Sequence, residues 1–306
     1  MKRHPISVII PVYKNYEMFY KYLKINVKYL EGCEVIIMND YPAENITRPV
    51  RKILGTARVF NNRKNLGFAG NVNRGVSHST RSYVILMNSD VVLKDDGFLK
   101  ALEHFKRNRN LFAVSFSQKE KGGKLVGANS GYFENGMINH SGRTARELSP
   151  NFWAEGGTAV FKKQYFERIG MLDNLFNPFY WEDIDLSYRA WKSGYKVLFD
   201  PMIVVEHHHE STIGKYFDKT KVLKTAFRNQ LIFQWKNLTD SDLARDHFFT
   251  LTKLFFVSLV KMDKVFLHGI FDALVRLPAI LRSRKKAVKL FVYGDRQILS
   301  QFQKTP

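Results

Sequence analysis

Four short stretches of the sequence carry side chains that could bind a cation or move a proton. Asp40 and Asp90 each end an apolar run. Glu182-Asp183 precedes an amphipathic run, and His207 ends a later apolar one. A hard divalent cation prefers carboxylate oxygens and phosphates and tolerates an imidazole. Such a cation neutralises a leaving diphosphate, while a separate carboxylate can deprotonate an attacking hydroxyl. Together these groups indicate chemistry that displaces a nucleoside diphosphate from a sugar.

The apolar runs predict the scaffold that would position these groups. Residues 6–12, 34–38 and 83–90 are predicted to form buried strands, with an amphipathic helix over residues 16–30. The alternation of strand and helix predicts a doubly wound, Rossmann-like and mostly parallel α/β sheet. Open sheets of this kind bind ligands at the carboxyl ends of their strands, where Asp40 and Asp90 would lie.

A purely structural interpretation stays open for several of these residues. Asp90 could be a turn residue that bonds its own backbone. Two of the three acidic residues at positions 182, 183 and 185 could simply favour the positive end of a helix dipole. The triplet His207-His208-His209 suggests a metal, but adjacent strand residues point to opposite faces, so at most about two could meet one ion.

A glycine-containing segment lies between the second and third of these strands. Residues 65–71, Asn-Leu-Gly-Phe-Ala-Gly-Asn, lead into a predicted helix over residues 72–79. Gly67 and Gly70 would allow close backbone approach to a ligand and leave the first N–H groups of the helix free for an anion. The segment lacks the GKS or GKT sequence of a P-loop and the GxGxxG spacing, so its signal is weaker.

Length, composition and charge limit the class of protein. A chain of 306 residues with 45% hydrophobic and 25% charged residues is typical of a globular protein with one large domain or two smaller ones. The formal charge of +20 implies acidic partners, such as nucleic acid, anionic lipid headgroups or phosphorylated substrates. The single cysteine, Cys33, favours a reducing compartment. The apolar runs are too short to predict a signal peptide or a transmembrane helix.

The sequence changes character from residue 217. Residues 221–306 contain 16 Lys and Arg against 6 Asp. Apolar residues recur every three or four positions over residues 255–277 and predict one amphipathic helix that Pro278 ends or kinks. This stripe could pack on the rest of the chain or lie in a membrane interface, with the basic cluster at 282–286 among the headgroups. The aromatic residues between 248 and 256 favour the membrane.

Several segments, in the same order, resemble the family 2 glycosyltransferases, which have the GT-A fold. SVIIPVYKN is similar to the opening strand of that family, and VIIMNDYP to its second, nucleotide-contacting strand. NLGFAGNVNRG is similar to a segment of the rhamnosyltransferase-like branch. YVILMNSDVVL resembles the strand with the DxD motif, WEDIDLSYRAWKSGYK the acceptor-side segment, and VVEHHHEST a late histidine-to-serine segment. The resemblance covers residues 6 to 238.

The resemblance implies a role for each candidate residue. Asp40 would contact the nucleobase, and Asp90 would ligate Mn²⁺ or Mg²⁺ on the diphosphate. Asp183 would be the general base of a single inverting displacement, with Glu182 as the second candidate. His207, placed before Ser211-Thr212, would be a late metal or phosphate contact.

The resemblance also implies the lining of the two substrate sites. The other nucleotide-sugar-binding residues would be Pro11, Tyr13, Asn65, Gly67, Asn71, Asn88 and Ser89. The acceptor side would include Gly156, Gly157 and Trp181.

Two positions depart from the family pattern. Asn88 stands where the first carboxylate of the DxD motif is expected. An amide can still bond a ribose hydroxyl, but the metal loses a possible ligand, so strict metal dependence stays open. Asn39-Asp40 stands where many relatives have two acids or Asp-Asn, which leaves the nucleobase contact ambiguous by one residue.

The resemblance and the charge pattern together imply an organisation and a function. A GT-A catalytic domain is expected over residues 1–216, with its nucleotide-sugar half up to residue 117 and its acceptor half beyond, followed by a basic helical region over residues 217–306. The expected activity is transfer of rhamnose or a hexose from a dTDP- or UDP-linked donor to a lipid-linked or growing cell-surface polysaccharide. The expected location is the cytoplasm, at the inner face of a bacterial cytoplasmic membrane.

Two other functions stay open on the sequence. A GT-A domain without turnover could serve as a binding module in a glycan-assembly complex, which Asn88 favours and which Asp90, Asp183 and His207 disfavour. The charge and the aromatic residues could also indicate nucleic-acid binding. No helix-turn-helix, RRM, KH or zinc motif is present, so no nucleic-acid partner is expected.

Overall fold

The computed structural model describes residues 3–207 and 216–302. Twelve strands lie in this part of the chain. They are β1 (Ile6–Val12), β2 (Glu34–Asn39), β3 (Arg58–Asn61), β4 (Tyr83–Met87), β5 (Val91–Leu93), β6 (Leu111–Lys119), β7 (Leu125–Val126), β8 (Asn129–Glu134), β9 (Met137–Gly142), β10 (Ser149–Pro150), β11 (Thr158–Lys162) and β12 (Lys196–His207).

Helices connect the strands and form most of the last third of the described chain. They are α1 (Tyr16–Asn26), α2 (Thr47–Ile53), α3 (Gly67–His78), α4 (Ala101–Arg107), α5 (Lys163–Arg168), α6 (Glu182–Lys192), α7 (Lys219–Asn237), α8 (Ser241–Val260), α9 (Lys264–Val275), α10 (Leu277–Val288) and α11 (Asp295–Leu299). Short 3₁₀ turns occur at Val27–Tyr29, Gly97–Lys100 and Asn174–Phe176.

The main sheet is mixed, with the strand order β10-β12-β6-β11-β4-β1-β2-β3. The strands β3, β2, β1 and β4 are all parallel, which is the doubly wound half that the sequence predicts. Beyond them, β11 is antiparallel to both β4 and β6, and β12 is parallel to β6. The strands β8 and β9 form a separate hairpin. The α/β class is therefore confirmed, while the parallel arrangement holds for one half of the sheet.

The parallel strands are buried on both faces because alternate residues serve two apolar layers. Ile9 and Leu86 belong to the layer that includes α3, whereas Val8 and Ile85 belong to the layer that includes α1. Gly75 lets α3 approach the sheet closely, since a Cβ there would lie 2.6 Å from Cγ2 of Ile9. This close packing brings the start of α3 to the carboxyl ends of β1 and β2.

The helices after residue 217 share the core of the sheet domain. Phe233 of α7 packs against Tyr188 of α6 with ring centroids 5.3 Å apart. The phenol of Tyr188 donates to Asp295 at 2.6 Å, and the buried Lys192 ammonium donates to the same carboxylate at 2.7 Å. The predicted division at residue 216 stays a prediction, but α6, α7 and α11 are joined by buried polar bonds.

The predicted single helix over residues 255–277 is wrong. The structure has two helices there, α8 and α9, with Met262 between them at a φ of 52°. The Asp263 side chain then caps α9 by accepting a hydrogen bond from the Phe266 N–H at 3.1 Å. Pro278 does not end a helix but is the second residue of α10, where a missing N–H costs nothing.

A buried charge network fixes α7 against α6, and its removal should destabilise the whole domain. Lys236 Nζ lies 2.8 Å from Asp185 and 2.7 Å from Asp173, and Asp185 has no exposed surface. We expect Lys236→Met to lower the free energy of unfolding by about 3–5 kcal/mol, because it removes the cation paired with Asp173 and one of the two cations paired with the buried Asp185, which keeps Arg189. Denaturant unfolding measures this loss.

The control for this variant is an exposed ion pair. Lys106 pairs with Glu103 at 2.7 Å on the surface of α4, so Lys106→Met should cost less than about 1 kcal/mol. Equal losses for the two variants would contradict the structural role given to Lys236.

Candidate active site

A cavity of about 440 Å³ lies where the carboxyl ends of β1, β2 and β4 face the start of α6. Parallel strands end at one edge of a sheet, and this is where open α/β sheets bind ligands. The cavity brings together most of the residues that the sequence singles out. Those in its lining are Pro11, Tyr13, Asp40, Asn65, Gly67, Asn71, Asn88, Ser89, Asp90, Gly156, Gly157, Glu182, Asp183 and His207.

Trp181 is not brought to the cavity. Its ring packs in the apolar core, 5.1 Å from the ring of Phe233 and 5.3 Å from that of His140. Its neighbours Phe179 and Tyr180 line the cavity instead, together with Phe217. The aromatic surface next to α6 is therefore formed by different residues from the one predicted.

Asp40 anchors the loop that leads into α3. Its carboxylate accepts from the backbone N–H of Leu66 at 2.9 Å and from the Asn62 amide at 2.7 Å. The N–H of Gly67 is bonded to the Asn65 side chain at 2.8 Å, and α3 begins at Gly67 rather than at residue 72. The prediction of free N–H groups for an anion is thus wrong for these two, because side chains already occupy them.

The structure separates the two candidates for the nucleobase contact. The Asn39 side chain is fully buried and bonds the Tyr16 hydroxyl, Glu44 O and Asn61. Asp40 lies in the cavity lining, whereas Asn39 does not. Of the two adjacent residues, only Asp40 is placed to meet a ligand.

Asn88 and Gly157 form a close contact across two strand ends. The Asn88 N–H donates to Gly157 O at 3.0 Å, which extends the pairing of β4 with β11. A Cβ at position 157 would overlap the Asn88 amide, so glycine there allows the Asn88 side chain to lie where it does. Asn88 and Gly157 both lie in the lining of the cavity.

Asp90 and His207 meet because their strands are paired. β12 runs antiparallel to β5, and His207 lies opposite Val91, the residue after Asp90. His207 Nε2 is 3.2 Å from Asp90 Oδ1. The other ring nitrogen, Nδ1, is 2.5 Å from Gln118 Oε1, and the Gln118 amide donates in turn to Glu155. Gln118 and Glu155 were not predicted, because nothing in their local sequence marks them.

These residues fit a divalent cation that shares its coordination with a diphosphate. The Gln118 carbonyl oxygen can accept a hydrogen bond only from an N–H at Nδ1, so with a cation bound His207 would offer its Nε2 alongside the Asp90 carboxylate. Mg²⁺ and similar ions are commonly held by one or two protein oxygens together with substrate phosphates. Among residues 3–207 and 216–302, no group of three His, Cys, Asp or Glu converges as a metal cage. His208, His209, Ser211 and Thr212 lie outside the described residues.

A strained turn precedes the acidic pair Glu182-Asp183 and positions it at the start of α6. Tyr180 and Trp181 have φ angles of 72° and 75°, which side chains with a Cβ rarely adopt. The Asn229 amide of α7 donates to the carbonyls of Phe176, Phe179 and Tyr180, at 2.6, 2.8 and 2.8 Å. Asn229 is fully buried and was not predicted, since it is 48 or more residues away in sequence from the turn.

Asp183 is oriented by two backbone groups. Its carboxylate accepts from the Gly156 N–H at 3.2 Å and from the Ile184 N–H at 2.8 Å. Burial raises the pKa of Asp183 above the ordinary aspartate range, although these N–H groups oppose that shift. A carboxylate with free lone pairs and a raised pKa in a cavity is suited to accept a proton from a bound hydroxyl.

Glu182 differs from its neighbour. Its side chain is buried, and its Oε2 has no hydrogen-bond partner among the described residues. Burial first, and then the charge of Asp183, raise the pKa of Glu182 well above the ordinary glutamate range. Asp183 is the better placed base of the pair, because the Gly156 and Ile184 N–H groups hold its two carboxylate oxygens.

The family model for glycosyl transferase family 2 matches residues 7–170, which is more than half of the chain. A poly-beta-1,6-N-acetyl-D-glucosamine synthase of Staphylococcus aureus (strain COL) is 24% identical over 190 residues, covering 60% of this chain and 45% of that protein. The enzyme of the same name from Staphylococcus epidermidis is 23% identical over 214 residues, covering 68% and 51%. The chain thus spans about half the length of these curated relatives.

Two solved structures share the fold. A crystal structure of GalNAc-T7 with UDP, GalNAc and Mn²⁺ aligns with a TM-score of 0.60 and 14% identity, over 77% of this chain and 48% of that one. A mannosyltransferase from Pyrobaculum calidifontis, in complex with GDP-Man and Mn²⁺, aligns with a TM-score of 0.54 and 13% identity, over 98% and 84%. At these identities the likeness shows the GT-A fold.

Glu182 should make the stability of the protein depend on pH. Its folded-state pKa lies above its unfolded value, so its stabilising contribution is full at low pH and is lost as pH rises through the raised pKa. Glu182→Gln cannot titrate, so its free energy of unfolding relative to wild type should be higher at pH 8 than at pH 5. The expected increase in the free energy of unfolding is about 1.4 kcal/mol for each unit by which the folded-state pKa exceeds the unfolded-state pKa.

Urea unfolding of both proteins at the two pH values measures this difference. Glu31→Gln, a change at an exposed position, serves as the matched control and should show no such gain. A Glu182→Gln difference that is the same at pH 5 and pH 8 would contradict the burial argument.

Proposed function

The chain belongs to glycosyl transferase family 2, and we propose that it transfers one sugar from a nucleoside-diphosphate donor to an acceptor hydroxyl with inversion at the anomeric carbon. The observation that carries this proposal is that the strand ends of β1, β2 and β4 and the residue Asp183 line the same cavity. One wall offers groups for a nucleotide and a diphosphate, and the opposite wall offers a base. A transfer between two bound substrates requires both.

The donor would lie along the strand ends. Asp40 is held rigidly by Leu66 and Asn62 and presents its carboxylate to the cavity, as a contact to a nucleobase requires. The Asn88 amide, fixed against Gly157, is suited to bond a ribose hydroxyl. Asp90 and His207 would hold a divalent Mn²⁺ or Mg²⁺. When bound, that ion supplies neutralisation of the leaving diphosphate.

The acceptor would enter beside α6. Asp183 would take the proton of the acceptor hydroxyl while the hydroxyl oxygen bonds to the anomeric carbon and the bond from that carbon to the diphosphate oxygen breaks. The Gly156 N–H fixes one carboxylate oxygen, so the base keeps its orientation during the transfer. A single displacement by an acceptor on the face opposite the leaving group inverts the configuration.

The substrate classes are proposed from the relatives and from the sequence. The curated relatives are named synthases of a polysaccharide, and the solved relatives hold UDP or GDP-Man. We propose a lipid-linked or growing cell-surface polysaccharide as the acceptor and a dTDP- or UDP-linked rhamnose or hexose as the donor. The rhamnose option is supported by the similarity of residues 65–75 to rhamnosyltransferase-like enzymes.

We further propose that the protein works at the inner face of a bacterial cytoplasmic membrane as a peripheral protein. Large apolar side chains of α8 and α9 and of the turn between them are exposed to solvent, and basic residues accompany them. This exposed apolar set consists of Phe248, Phe249, Phe256, Val260, Met262, Phe271, Leu274 and Val275. Surface helices of this composition bind lipid interfaces. Within residues 3–207 and 216–302, no helix has the length and apolar character that crossing a membrane requires.

The catalytic proposal is tested by replacing the base. Asp183→Asn should reduce sugar transfer by about 10²–10⁴-fold, the usual worth of general base catalysis, and leave binding of the nucleoside diphosphate unchanged. Transfer is assayed with UDP- and dTDP-sugars, and binding by calorimetry on the same preparations. The anomeric configuration of the product, read by NMR, tests inversion.

Glu182→Gln is the matched control, because the same acidic pair is altered by one position. It should keep transfer within about tenfold of wild type if Asp183 alone is the base. Loss of nucleotide binding in Asp183→Asn would give that residue a ligand or structural role instead. Absence of transfer and of donor hydrolysis in the wild type would favour the non-catalytic binding module.

Membrane association is tested with substitutions at exposed positions. Phe249 and Phe256 are seven residues apart on one face of α8 and are 64% and 61% exposed. Phe249→Ser/Phe256→Ser should weaken binding to vesicles of phosphatidylcholine with phosphatidylglycerol at least about tenfold, since each Phe loses about 1.5 kcal/mol or more of apolar transfer energy. Vesicle sedimentation measures the change.

Leu125→Ser/Met202→Ser removes two equally exposed apolar side chains elsewhere, at 56% and 70% exposure, and should leave vesicle binding unchanged. An equal loss of vesicle binding in both double variants would contradict the proposal that α8 contacts the membrane.

A further inference from the structure

A groove of about 900 Å³ lies between α10 and residues 170–177. It shares no lining residue with the active-site cavity. The groove and the cavity are nevertheless close to each other. Asn177 lines the groove and Gly67 lines the cavity, and a Cβ added at Gly67 would lie 2.5 Å from the Asn177 side chain. The groove is not used by the proposed transfer reaction.

The groove is strongly cationic. Its lining includes Arg276, Arg282, Lys285, Lys286 and Lys289. None of these five is paired with a carboxylate in the part of the chain that the structure describes; Arg276 donates to a backbone carbonyl, that of residue 272, at 2.7 Å. Like charges that converge on a concave surface repel one another and favour an anion between them.

The carboxylate present in this lining is already neutralised. Asp173 accepts from Lys236 Nζ at 2.7 Å, from Ser283 Oγ at 2.5 Å and from the Leu175 N–H at 3.0 Å. Burial alone would raise the pKa of Asp173, but the charge and the hydrogen bond of Lys236 hold it well below the ordinary range. Asp173 therefore neutralises Lys236, which lies behind the groove, and does not reduce the positive charge of the five basic residues.

The border of the groove is apolar. Arg276 directly follows the last turn of α9, where Phe271, Leu274 and Val275 are exposed. Leu281, on the first turns of α10, is also exposed. A soluble anion would gain nothing from this border, whereas a molecule with both a phosphate and hydrocarbon would use both surfaces.

We infer that this groove binds the phosphate of an anionic membrane lipid, with the acyl chains lying against the exposed apolar side chains of α9. Arginine guanidinium groups match phosphate oxygens in pairs, and the lysines add point charges. The inference rests on the proposed membrane association and names the lipid group that the C-terminal helices recognise. It assigns the basic side chains of α10 to a discrete site rather than to a diffuse surface.

The test uses dihexanoylphosphatidylglycerol below its micelle concentration, titrated calorimetrically into the full-length protein. Wild type should bind it saturably, at about one lipid per chain. Lys285→Gln/Lys286→Gln should weaken binding at least about tenfold, since each basic residue near a lipid phosphate contributes on the order of 1 kcal/mol.

Lys261→Gln/Lys264→Gln is the matched control, because it removes the same charge at the other end of α9. That end is about 18 Å from Arg276, and neither lysine lines the groove. This variant should bind the lipid as wild type does. Equal weakening in both variants, or no saturable binding by wild type, would overturn the inference.

Two further arms identify the source of the phosphate and separate this inference from the transferase proposal. Inorganic diphosphate that binds the groove as tightly as the lipid would overturn the assignment to a lipid. UDP and dTDP binding is measured on the same proteins. Nucleotide binding without lipid binding overturns the groove assignment alone, and lipid binding without nucleotide binding contradicts the transferase alone.

Discussion

The turn before α6 is the constraint on which the rest of the structure depends. Tyr180 and Trp181 are consecutive residues with positive φ, an arrangement that costs on the order of 1–3 kcal/mol for each residue. The cost is offset by Asn229, whose amide holds three carbonyls of the approach to this turn. The turn orients the first residues of α6, so the position of the Asp183 carboxylate depends on a side chain of α7.

This dependence ties the last third of the chain to the site. Lys236 of α7 binds the buried Asp185, and the ring of Phe233 packs against Trp181, so the same helix fixes α6 from several directions. The outer surfaces of α8 and α9 meanwhile expose apolar side chains. α9, one of the helices that we propose to contact the membrane, packs on α7, where the ring of Phe266 lies 5.7 Å from that of Phe227. Since α7 in turn holds α6, deleting α9 would remove part of the core that supports the site.

The sequence predicts the parts of the site that follow from strand periodicity. Asp40 and Asp90 end apolar runs, and a parallel sheet brings such ends together, so their shared cavity could be anticipated. Gln118 and Asn229 could not, because each acts through a long-range contact that no local pattern records. Trp181 was misplaced for a related reason: positive φ at the turn directs its ring into the core. Likewise, the 255–277 stripe has helical spacing throughout, while the break follows from the positive φ of Met262 and the cap at Asp263, which the apolar spacing does not record.

The most direct test of the account is calorimetric titration of UDP, dTDP, GDP and CDP, each with and without Mn²⁺, into the wild type and Asp90→Ala. We expect one nucleoside diphosphate to bind best, Mn²⁺ to strengthen its binding to the wild type, and Asp90→Ala to lose this metal response. Failure of all four to bind, with or without metal, would contradict a donor site at the strand ends. An unchanged metal response in Asp90→Ala would show that Asp90 does not take part in the donor site.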